Sequence, residues 1–340
     1  MTNNKSYGYN SINNKHQRSI TNLMKKFFTI FMACLLIGSL LFGLVACSDK
    51  DKDKQPTDEA YTVTDSYKRI VTFNKVPDRI ISWAPSNTEI VFALGQSSKL
   101  IGRTNWCDYP AAAANVGVVF DYSSINHELV MATVGNNKDS TVILATVYHL
   151  SDVVTLADMG YKILILDAQN LEDVFNSMSI LNQAMGGNID GYDAYIKSLR
   201  DRVDAVTSKI TASTSRVSVV HIVSTGFWVS GNKTLENDII NIAGGINVAV
   251  AGDEGYYEAN NEAFIAFNPT VIVYTTNMGS DWGVYDALTS TPYNNMAAVK
   301  DSQTYSIDGN LSSRSGPRAV DALEAYAKIL HPEIFGPYTV

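Results

Sequence analysis

Residues 79–95 read Arg79-Ile-Ile-Ser-Trp-Ala-Pro-Ser-Asn-Thr-Glu-Ile-Val-Phe-Ala-Leu-Gly95, and the stretch that follows ends in Trp106-Cys-Asp-Tyr-Pro110. This pattern predicts a buried strand, a tight turn, a short helix and a second strand that stops at a turn. Ser86 and Glu89 have the spacing of a capping box, and Gly95 suits the carboxyl end of the helix. Such a helix begins at the carboxyl end of a strand, which is the edge where open α/β sheets bind ligands.

The chain beyond about residue 61 alternates between short runs rich in Val and Ile and amphipathic stretches. Strands that alternate with helices indicate βαβ units, so we predict an α/β fold with mainly parallel sheets. The clearest strand signals are Arg79–Trp83, Thr141–Ala145, Lys162–Leu166, Val217–Val223 and Thr270–Tyr274.

The middle of the chain, from about Glu172 to Ala212, carries no strand signal. Apolar residues there recur at spacings of three and four, which is one face of a long helix: Tyr192, Tyr195, Leu199, Val203 and Val206. We therefore predict two α/β lobes that are joined by a single long α-helix. The expected boundaries are 61–171 for the amino-terminal lobe, 172–213 for the connecting helical segment and 214–340 for the carboxyl-terminal lobe.

The first 46 residues carry five basic side chains and no acidic one, and they end in a run of 20 largely apolar residues, Phe27 to Ala46. A basic region, an apolar region and a small residue before a cut site form an export signal peptide, residues 1–46. The alternative is an uncleaved membrane anchor, because this run is long enough to span a bilayer. In both cases the basic leader places the rest of the chain outside the cytoplasm. Residues 47–60 are polar and charged, which predicts a flexible tether.

Charge and cysteine content exclude some classes of protein. Without the leader, 21 Lys and Arg stand against 34 Asp and Glu, a net charge near −13, so nucleic acid is not an expected partner. Cys34 lies in the leader and Cys47 directly follows it, which leaves Cys107 as the only cysteine of the folded domain and predicts no internal disulfide. We expect Cys107 to be buried like a small apolar residue rather than reactive.

The residues of 79–110 closely resemble the start of the amino-terminal lobe in substrate-binding proteins of ABC importers for vitamin B12, haem and ferric siderophores. The resemblance covers about residues 65–336. Leu44-Val-Ala-Cys47 resembles the lipobox of bacterial lipoproteins, in which the Cys is lipidated and becomes the mature amino terminus. The resemblance implies a monomeric, lipid-anchored binding protein, at the outer face of the cytoplasmic membrane or in the periplasm, that serves the membrane-spanning subunits of an importer. It also implies that a ligand cleft lies between the two lobes and that the connecting helix restricts hinge motion.

Two short segments share the pattern Asn-x-Glu, three apolar residues and Ala. They start at Asn126 and Asn260, and each precedes a predicted strand. Glu128 and Glu262 are then expected in the first turn of a short helix, where the helix dipole favours a carboxylate. Helix stabilisation alone is one interpretation. The resemblance implies a second one, in which both Glu side chains project towards Arg residues of the transporter.

Aromatic residues at strand ends are the candidates for ligand contacts. Trp106 precedes the turn of residues 107–110, Trp228 follows a strand, and Tyr122 and Tyr256 each lie six residues before the repeated Glu. Aromatic side chains are usually core, but Gly-flanked loops seldom bury a Trp without purpose. The resemblance implies that these four side chains line the cleft, where flat rings give a rigid macrocycle a large contact area.

Ser312-Ser-Arg-Ser-Gly-Pro-Arg318 resembles the Arg-x-Gly-Pro-Arg phrase of the same family. The resemblance implies that Arg314 reaches into the cleft, where it would pair with an amide, phosphate or carboxylate of the ligand. Arg103 is a second candidate cation for the cleft. Arg318 is expected to make structural contacts, and His331 is expected to cap the end of the final helix.

Two neighbouring residues are candidates for a metal ligand. Tyr148 and His149 follow the strand predicted over 141–145, and some haem-binding relatives supply Tyr, His or Met to iron. A polar surface position is the alternative for His149, and His127 and His221 are weaker candidates. Since the sequence has no His or Cys cluster with metal-site spacing, we predict no resident metal and no cofactor.

Catalysis is not predicted, because the sequence has no Gly-x-Ser-x-Gly, no phosphate-binding Gly loop and no His-Glu-x-x-His. The four aromatic positions with Arg314 favour a corrinoid such as cobalamin as the ligand. Haem or a ferric siderophore is the alternative within the same class, although many ferric siderophores are anionic and require more positive charge. A membrane-anchored module that scavenges or senses a ligand, without a transporter, is a further alternative.

Overall fold

The structure is a computed structural model that describes residues 59–251, 255–276 and 283–339. The leader, Cys47 and nearly all of the tether lie outside these ranges, so the export signal and the lipid anchor remain predictions. Within the described ranges, no helix combines the length and the apolar character that a membrane span requires.

The amino-terminal lobe is built on a parallel sheet of five strands in the order β5-β4-β3-β6-β7. An antiparallel hairpin precedes it, formed by β1 (Tyr61–Thr64) and β2 (Ile70–Phe73). The strands of the sheet are β3 (Arg79–Ser82), β4 (Leu100–Thr104), β5 (Val118–Phe120), β6 (Thr141–Ala145) and β7 (Lys162–Ile165). The helices are α1 (Pro85–Ala93), α2 (His127–Val134) and α3 (Leu150–Asp158). All five residues of β6 are buried, as expected of a parallel strand covered on both faces.

The carboxyl-terminal lobe has a mixed sheet in the order β11-β9-β8-β12-β13, and β10 also pairs with β8. Its strands are β8 (Val217–Ser224), β9 (Trp228–Ser230), β10 (Gly245–Asn247), β11 (Tyr256–Glu258), β12 (Val271–Thr276) and β13 (Thr304–Asp308). β8, β10, β12 and β13 pair in parallel, whereas β9 pairs antiparallel with both β8 and β11. The antiparallel part follows from the tight β8–β9 turn, in which Gly226 has φ +75° and Phe227 has φ +52°.

The helices of this lobe are α6 (Leu235–Ile242), α7 (Asn261–Phe267), α8 (Val284–Thr289), α9 (Ala297–Lys300), α10 (Gly309–Ser312), α11 (Ala319–Leu330) and α12 (Pro332–Phe335). The prediction of an α/β fold with two lobes and mainly parallel sheets is confirmed. The five predicted strands are also present, since β6 has the predicted bounds and the others differ by one or two residues at an end.

The connecting segment differs from the single long helix of the prediction. It consists of two helices, α4 (Leu171–Ala184) and α5 (Tyr192–Thr207). The break falls at Gly186 and Gly187, which have φ of +89° and +76°, a conformation that ends a helix. The predicted apolar face of α5 is confirmed, because its Leu199 and Val206 are buried.

The two lobes share an apolar core. One cluster of buried side chains includes Ile80 and Leu164 from the amino-terminal lobe, Met178 from α4, and Ile239 and Leu323 from the carboxyl-terminal lobe. α4 packs against both β1 and α6. Relative motion of domains is expected unless their interface is large and hydrophobic. The shared cluster therefore limits the opening of the cleft.

The predicted capping box at Ser86 and Glu89 is wrong. α1 begins at Pro85 with Ala84 as its N-cap, and in the described structure no side chain caps its first turn. Pro85 suits this first position because it has no N–H to satisfy and its φ is already helical. Glu89 is buried and points to a different partner, described below. At the other end Gly95 follows the C-cap with φ +68°, as predicted.

Candidate ligand-binding cleft

A cavity of about 730 Å³ lies between the two lobes. In the amino-terminal lobe its walls come from the carboxyl ends of all five parallel strands, and they include Pro85, Trp106, Tyr122, Tyr148 and Asp167. In the carboxyl-terminal lobe its walls are Lys233–Leu235, Gly255, Tyr256 and Ser313–Ser315. The carboxyl edge of a parallel sheet is the usual place for a ligand, and the volume falls in the range of about 300–1,000 Å³ typical of small-molecule sites.

Four of the five predicted ligand contacts lie at this cavity: Trp106, Tyr122, Tyr256 and Arg314. The fifth, Trp228, is not among the described residues that line it. Trp228 begins β9 opposite Glu258 of β11, and its side chain is exposed. Trp228 lies directly after the tight β8–β9 turn and pairs with Ser224, the last residue of β8, so it is near the carboxyl end of that strand without lining the cavity.

Tyr122 and Tyr148 form a stacked pair on the amino-terminal wall. Their ring centroids are 5.2 Å apart and their planes differ by 6°. Tyr148 is 60 % exposed. Tyr122 is less accessible, and its burial raises the pKa of its hydroxyl; the neighbouring Tyr148 adds to this rise. Two parallel rings at the wall provide a flat apolar surface of the kind that suits a planar ligand.

His149 does not face the cavity as a metal ligand would. It is buried beside the rings of Trp83, Tyr122 and Tyr148. Its Nε2 lies 3.0 Å from the carbonyl oxygen of Tyr122, and its Nδ1 lies 3.3 Å from Oγ1 of Thr146. A carbonyl only accepts, so Nε2 carries the proton and the remaining lone pair is directed at Thr146. Burial lowers the pKa of His149, which also favours the neutral form.

Tyr256 presents its ring to the cleft but not its hydroxyl. The residue is 47 % exposed, yet its hydroxyl donates to Oε2 of Glu236 at 2.8 Å. The hydroxyl of Ser313 donates to Oε1 of the same carboxyl at 2.8 Å. Glu236 is completely buried, and burial raises its pKa. The buried carboxyl thereby fixes two cavity-lining side chains and leaves the Tyr256 ring face for the ligand.

Arg314 reaches the cavity from the carboxyl-terminal lobe and pairs with acids of the other lobe. Its Nη1 lies 2.6 Å from Oδ1 of Asp108 and 3.6 Å from Oε1 of Glu89. Burial acts to raise the pKa of Asp108, but the hydrogen bond and the charge of Arg314 outweigh it and hold that pKa below its usual value. Arg103, the second predicted cation, instead donates to the carbonyl oxygens of Thr104 and Ala114.

Arg318 lies behind Arg314 and makes the predicted structural contacts. It donates through Nε and Nη2 to the two carboxylate oxygens of Glu89, at 2.9 and 2.6 Å. The ring of Tyr109 lies over its guanidinium, 3.7 Å from Cζ to the centroid. Between the two arginines, Gly316 fits closely, because an added Cβ would lie 3.2 Å from Oε2 of Glu89. The segment 313–318 therefore forms the seam between the lobes beside the cavity.

The two repeated Glu residues occupy equivalent places in the two lobes. In α2 the side chain of Asn126 accepts from the N–H of Leu129, and in α7 the side chain of Asn260 accepts from the N–H of Ala263. Glu128 and Glu262 lie in the first turn of these helices and are exposed, as predicted. Each helix precedes a strand of its own sheet. α2 precedes β6, which pairs with β3, and α7 precedes β12, which pairs with β8. Their role in docking stays a prediction.

The other singled-out polar residues have local partners. His221 is buried between Thr275 and Tyr326, His127 pairs with Asp152 at 2.7 Å, and His331 is the C-cap of α11. Cys107 is buried, as predicted. Among the described residues, no group of three or more His, Cys, Asp or Glu side chains converges in a way that would hold a metal ion.

Sequence reasoning missed three side chains that shape this site. Asp108 lies in the quoted turn but was assigned no role, Glu89 was assigned to a helix cap, and Glu236 gave no signal beyond its place in a first helical turn. Each acts through a partner far away in the chain. A pattern read over a few neighbouring residues does not reveal such a partner.

An interlobe cavity at the carboxyl edge of a parallel sheet, lined by aromatic rings, defines a two-lobed binding protein. Residues 80–311 match the model of the family described as "Periplasmic binding protein", which is more than half of the chain, and the chain belongs to this family. The resemblance seen in residues 79–110 is thereby confirmed. Proteins of this family bind a solute, as components of transport systems rather than as enzymes.

Individual relatives agree with the family. The chain is 29 % identical over 324 residues to an uncharacterized ABC transporter substrate-binding lipoprotein, YvrC, of Bacillus subtilis, with 92 % of this chain and 99 % of the relative covered. It is 24 % identical to a vitamin B12-binding protein of Vibrio parahaemolyticus, over 76 % of this chain and 90 % of the relative. A periplasmic haem-binding protein of Pseudomonas aeruginosa has the same fold, with a TM-score of 0.63, 23 % identity, and 76 % of this chain and 94 % of that chain covered.

Proposed function

We propose that this protein is a lipid-anchored, extracytoplasmic substrate-binding protein that captures a corrinoid and delivers it to an ABC importer. The observation that carries the proposal is the interlobe cavity, in which the rings of Trp106, Tyr122, Tyr148 and Tyr256 are gathered from both lobes. Flat rings bind a large rigid macrocycle with little loss of conformational entropy. The vitamin B12-binding relative supports the same ligand class.

The charges at the cavity favour a ligand with a neutral periphery. Its charged lining residues within the described chain are Asp167, Lys233 and Arg314, and Arg314 is already paired with Asp108. A strongly anionic ferric siderophore would gain little from such a wall. The peripheral amides of a corrinoid, in contrast, accept hydrogen bonds from a guanidinium whose charge is already balanced.

Haem is the second candidate, and one observation favours it. Tyr148 is the most exposed ring at the cavity, and a phenol oxygen is a known ligand of haem iron. His149 supports haem less, because both of its nitrogens have partners in the protein. A module that only scavenges or senses a ligand would use the same cavity without a transporter.

Delivery and anchoring rest on separate features. Glu128 and Glu262 are exposed at equivalent positions of the two lobes, and paired carboxylates of this kind suit charge-assisted contacts with Arg on a two-fold transporter. Cys47 follows a lipobox-like sequence, and the Bacillus relative is named a lipoprotein. We infer a monomer that is held at the membrane through its amino terminus.

The test is a titration of the purified protein with cyanocobalamin, haem and a ferric hydroxamate, followed by Trp fluorescence and confirmed by calorimetry, since coloured ligands also absorb light. Tight saturable binding of cyanocobalamin alone supports the corrinoid assignment. Tight binding of haem with a shifted Soret band replaces it with haem and makes Tyr148 the first residue to substitute. Absence of binding to all three probes rejects the ligand assignment.

A further inference from the structure

We propose that Asp108 sets the charge preference of the cleft. Asp108 forms an ion pair with Arg314, and this pair disfavours ligands whose recognition requires an unpaired cation. This inference rests on the proposed function of the cavity as a ligand site. It adds a specificity-determining residue that does not itself line the cavity.

Asp108 is the partner of Arg314 that a ligand group could displace, because it is the more exposed member of the pair. The two residues are 206 positions apart and come from different lobes, and Nη1 of Arg314 lies 2.6 Å from Oδ1 of Asp108. The Arg314 side chain is 10 % exposed, whereas that of Asp108 is 61 % exposed. The arginine is therefore held in place by its surroundings, and the aspartate lies on the solvent side of the pair.

Glu89 does not replace Asp108 in this role. Both of its oxygens accept from Arg318 at 2.6 and 2.9 Å, whereas Arg314 lies 3.6 Å away, beyond hydrogen-bond distance. The two acids balance the two arginines, so the cluster carries no net charge. Removal of the charge of Asp108 leaves one surplus positive charge, and it is placed on the arginine that lines the cavity.

The pair discriminates between two kinds of ligand group. A carboxylate or phosphate that approaches Arg314 must displace Asp108 or accept a like charge beside it, and both are unfavourable. An amide oxygen meets neither obstacle, since a guanidinium has five N–H donors and Asp108 engages only part of them. Asp108 thus favours neutral acceptor groups over anionic ones at this wall.

The experiment compares the full-length protein with its Asp108→Asn variant, which keeps the size and an acceptor oxygen but removes the charge. The probes are cyanocobalamin, whose corrin periphery carries neutral amides, and haem, which carries two carboxylates. We expect the variant to bind haem ~10-fold more tightly, the size of one charge-assisted contact, and to change the affinity for cyanocobalamin by less than ~3-fold. Asp193→Asn removes an exposed acid of α5 outside the cavity and controls for a general change of net charge.

A third variant tests whether Asp108 acts through Arg314. In Asp108→Asn/Arg314→Gln the gain in haem affinity should disappear, because the freed cation is gone. Equal haem affinity in the wild type and Asp108→Asn, an equal gain in Asp193→Asn, or a gain that survives loss of Arg314 overturns the proposal. A wild type that does not bind cyanocobalamin, together with a haem gain in Asp108→Asn, rejects the corrinoid assignment and keeps the role of Asp108.

Discussion

Glu89 and Arg318 form a bidentate ion pair, although they are 229 residues apart in the chain. The pair joins α1 of the amino-terminal lobe to the start of α11 in the other lobe. The side chains are 2 % and 15 % exposed. Burial raises the pKa of Glu89, and the hydrogen bonds and charge of Arg318 act against that rise. A buried pair of this kind is a poor source of net stability, but loss of one partner leaves the other charge uncompensated.

The Glu89→Ala variant should therefore lose about 3–5 kcal/mol of unfolding free energy, because Arg318 remains buried without its partner. Urea unfolding followed by circular dichroism measures the loss. The matched control is Glu172→Ala, which breaks the Glu172–Arg200 pair between α4 and α5, where the side chains are 71 % and 46 % exposed. That loss should stay within about 0–1 kcal/mol. Similar losses in the two variants would contradict the role given to burial.

Low pH should reduce the unfolding free energy of the protein through protonation of His221. The ring is fully buried between Thr275 and Tyr326, and burial lowers its pKa from 6.5 to about 3. Between those two values the unfolded chain binds a proton that the folded chain does not, so stability falls as the pH decreases from about 6.5 towards 3. The slope from this group is at most ~1.4 kcal/mol per pH unit.

Unfolding free energies of the wild type and His221→Gln, measured in urea between pH 7 and pH 4, test this expectation. Gln keeps hydrogen-bonding capacity and does not titrate, so its curve should be flatter over this range, whatever its stability at pH 7. Parallel curves for the two proteins would show that His221 is not the group responsible.

The two exposed tryptophans should differ in their effect on ligand binding. Trp106 lines the cavity and Trp228 does not, although both are nearly half-exposed. Trp106→Ala should weaken ligand binding about 10- to 100-fold, a loss of about 1.4–2.7 kcal/mol, because it truncates an aromatic contact in the binding site. Trp228→Ala should leave the affinity within about 2-fold. Calorimetry with the ligand found in the titration gives both values, and an equal loss in the two variants would place Trp228 back in the site.

Docking should depend on Glu128 and Glu262 together. The double variant Glu128→Ala/Glu262→Ala should keep its ligand affinity and lose ligand uptake in cells that carry the cognate importer, because the two lobes no longer present their carboxylates. Loss of a first-turn acid costs a helix only about 0.3–1 kcal/mol, so the fold should persist.

Asp193→Ala is the matched control for this pair of residues, since Asp193 is also an exposed acid in the first turn of a helix, α5. It should reduce stability by a similar small amount without an effect on uptake. Normal uptake by the double variant would assign Glu128 and Glu262 to helix stabilisation alone.

Much of this protein is determined by local sequence. The strand of residues 141–145 has the predicted bounds, Gly95 follows the end of α1, and Asn126 and Asn260 cap equivalent helices. These features depend on hydrogen bonds and side-chain periodicity within about four residues, which a single sequence contains in full. The alternation of strands and helices then led to two α/β lobes.

The contacts of the cleft were decided only by the tertiary structure. Glu89 has the spacing of a cap, yet it is drawn to Arg318. Arg314 was expected to be open to a ligand, yet it is paired with Asp108, and Trp228 was expected at the ligand, yet it does not line the cavity. The two ion pairs depend on which groups meet across the seam between the two lobes. The chain sets the chemistry of those groups, but the energy of a charge or a ring depends on the partners that folding brings within a few ångströms of it.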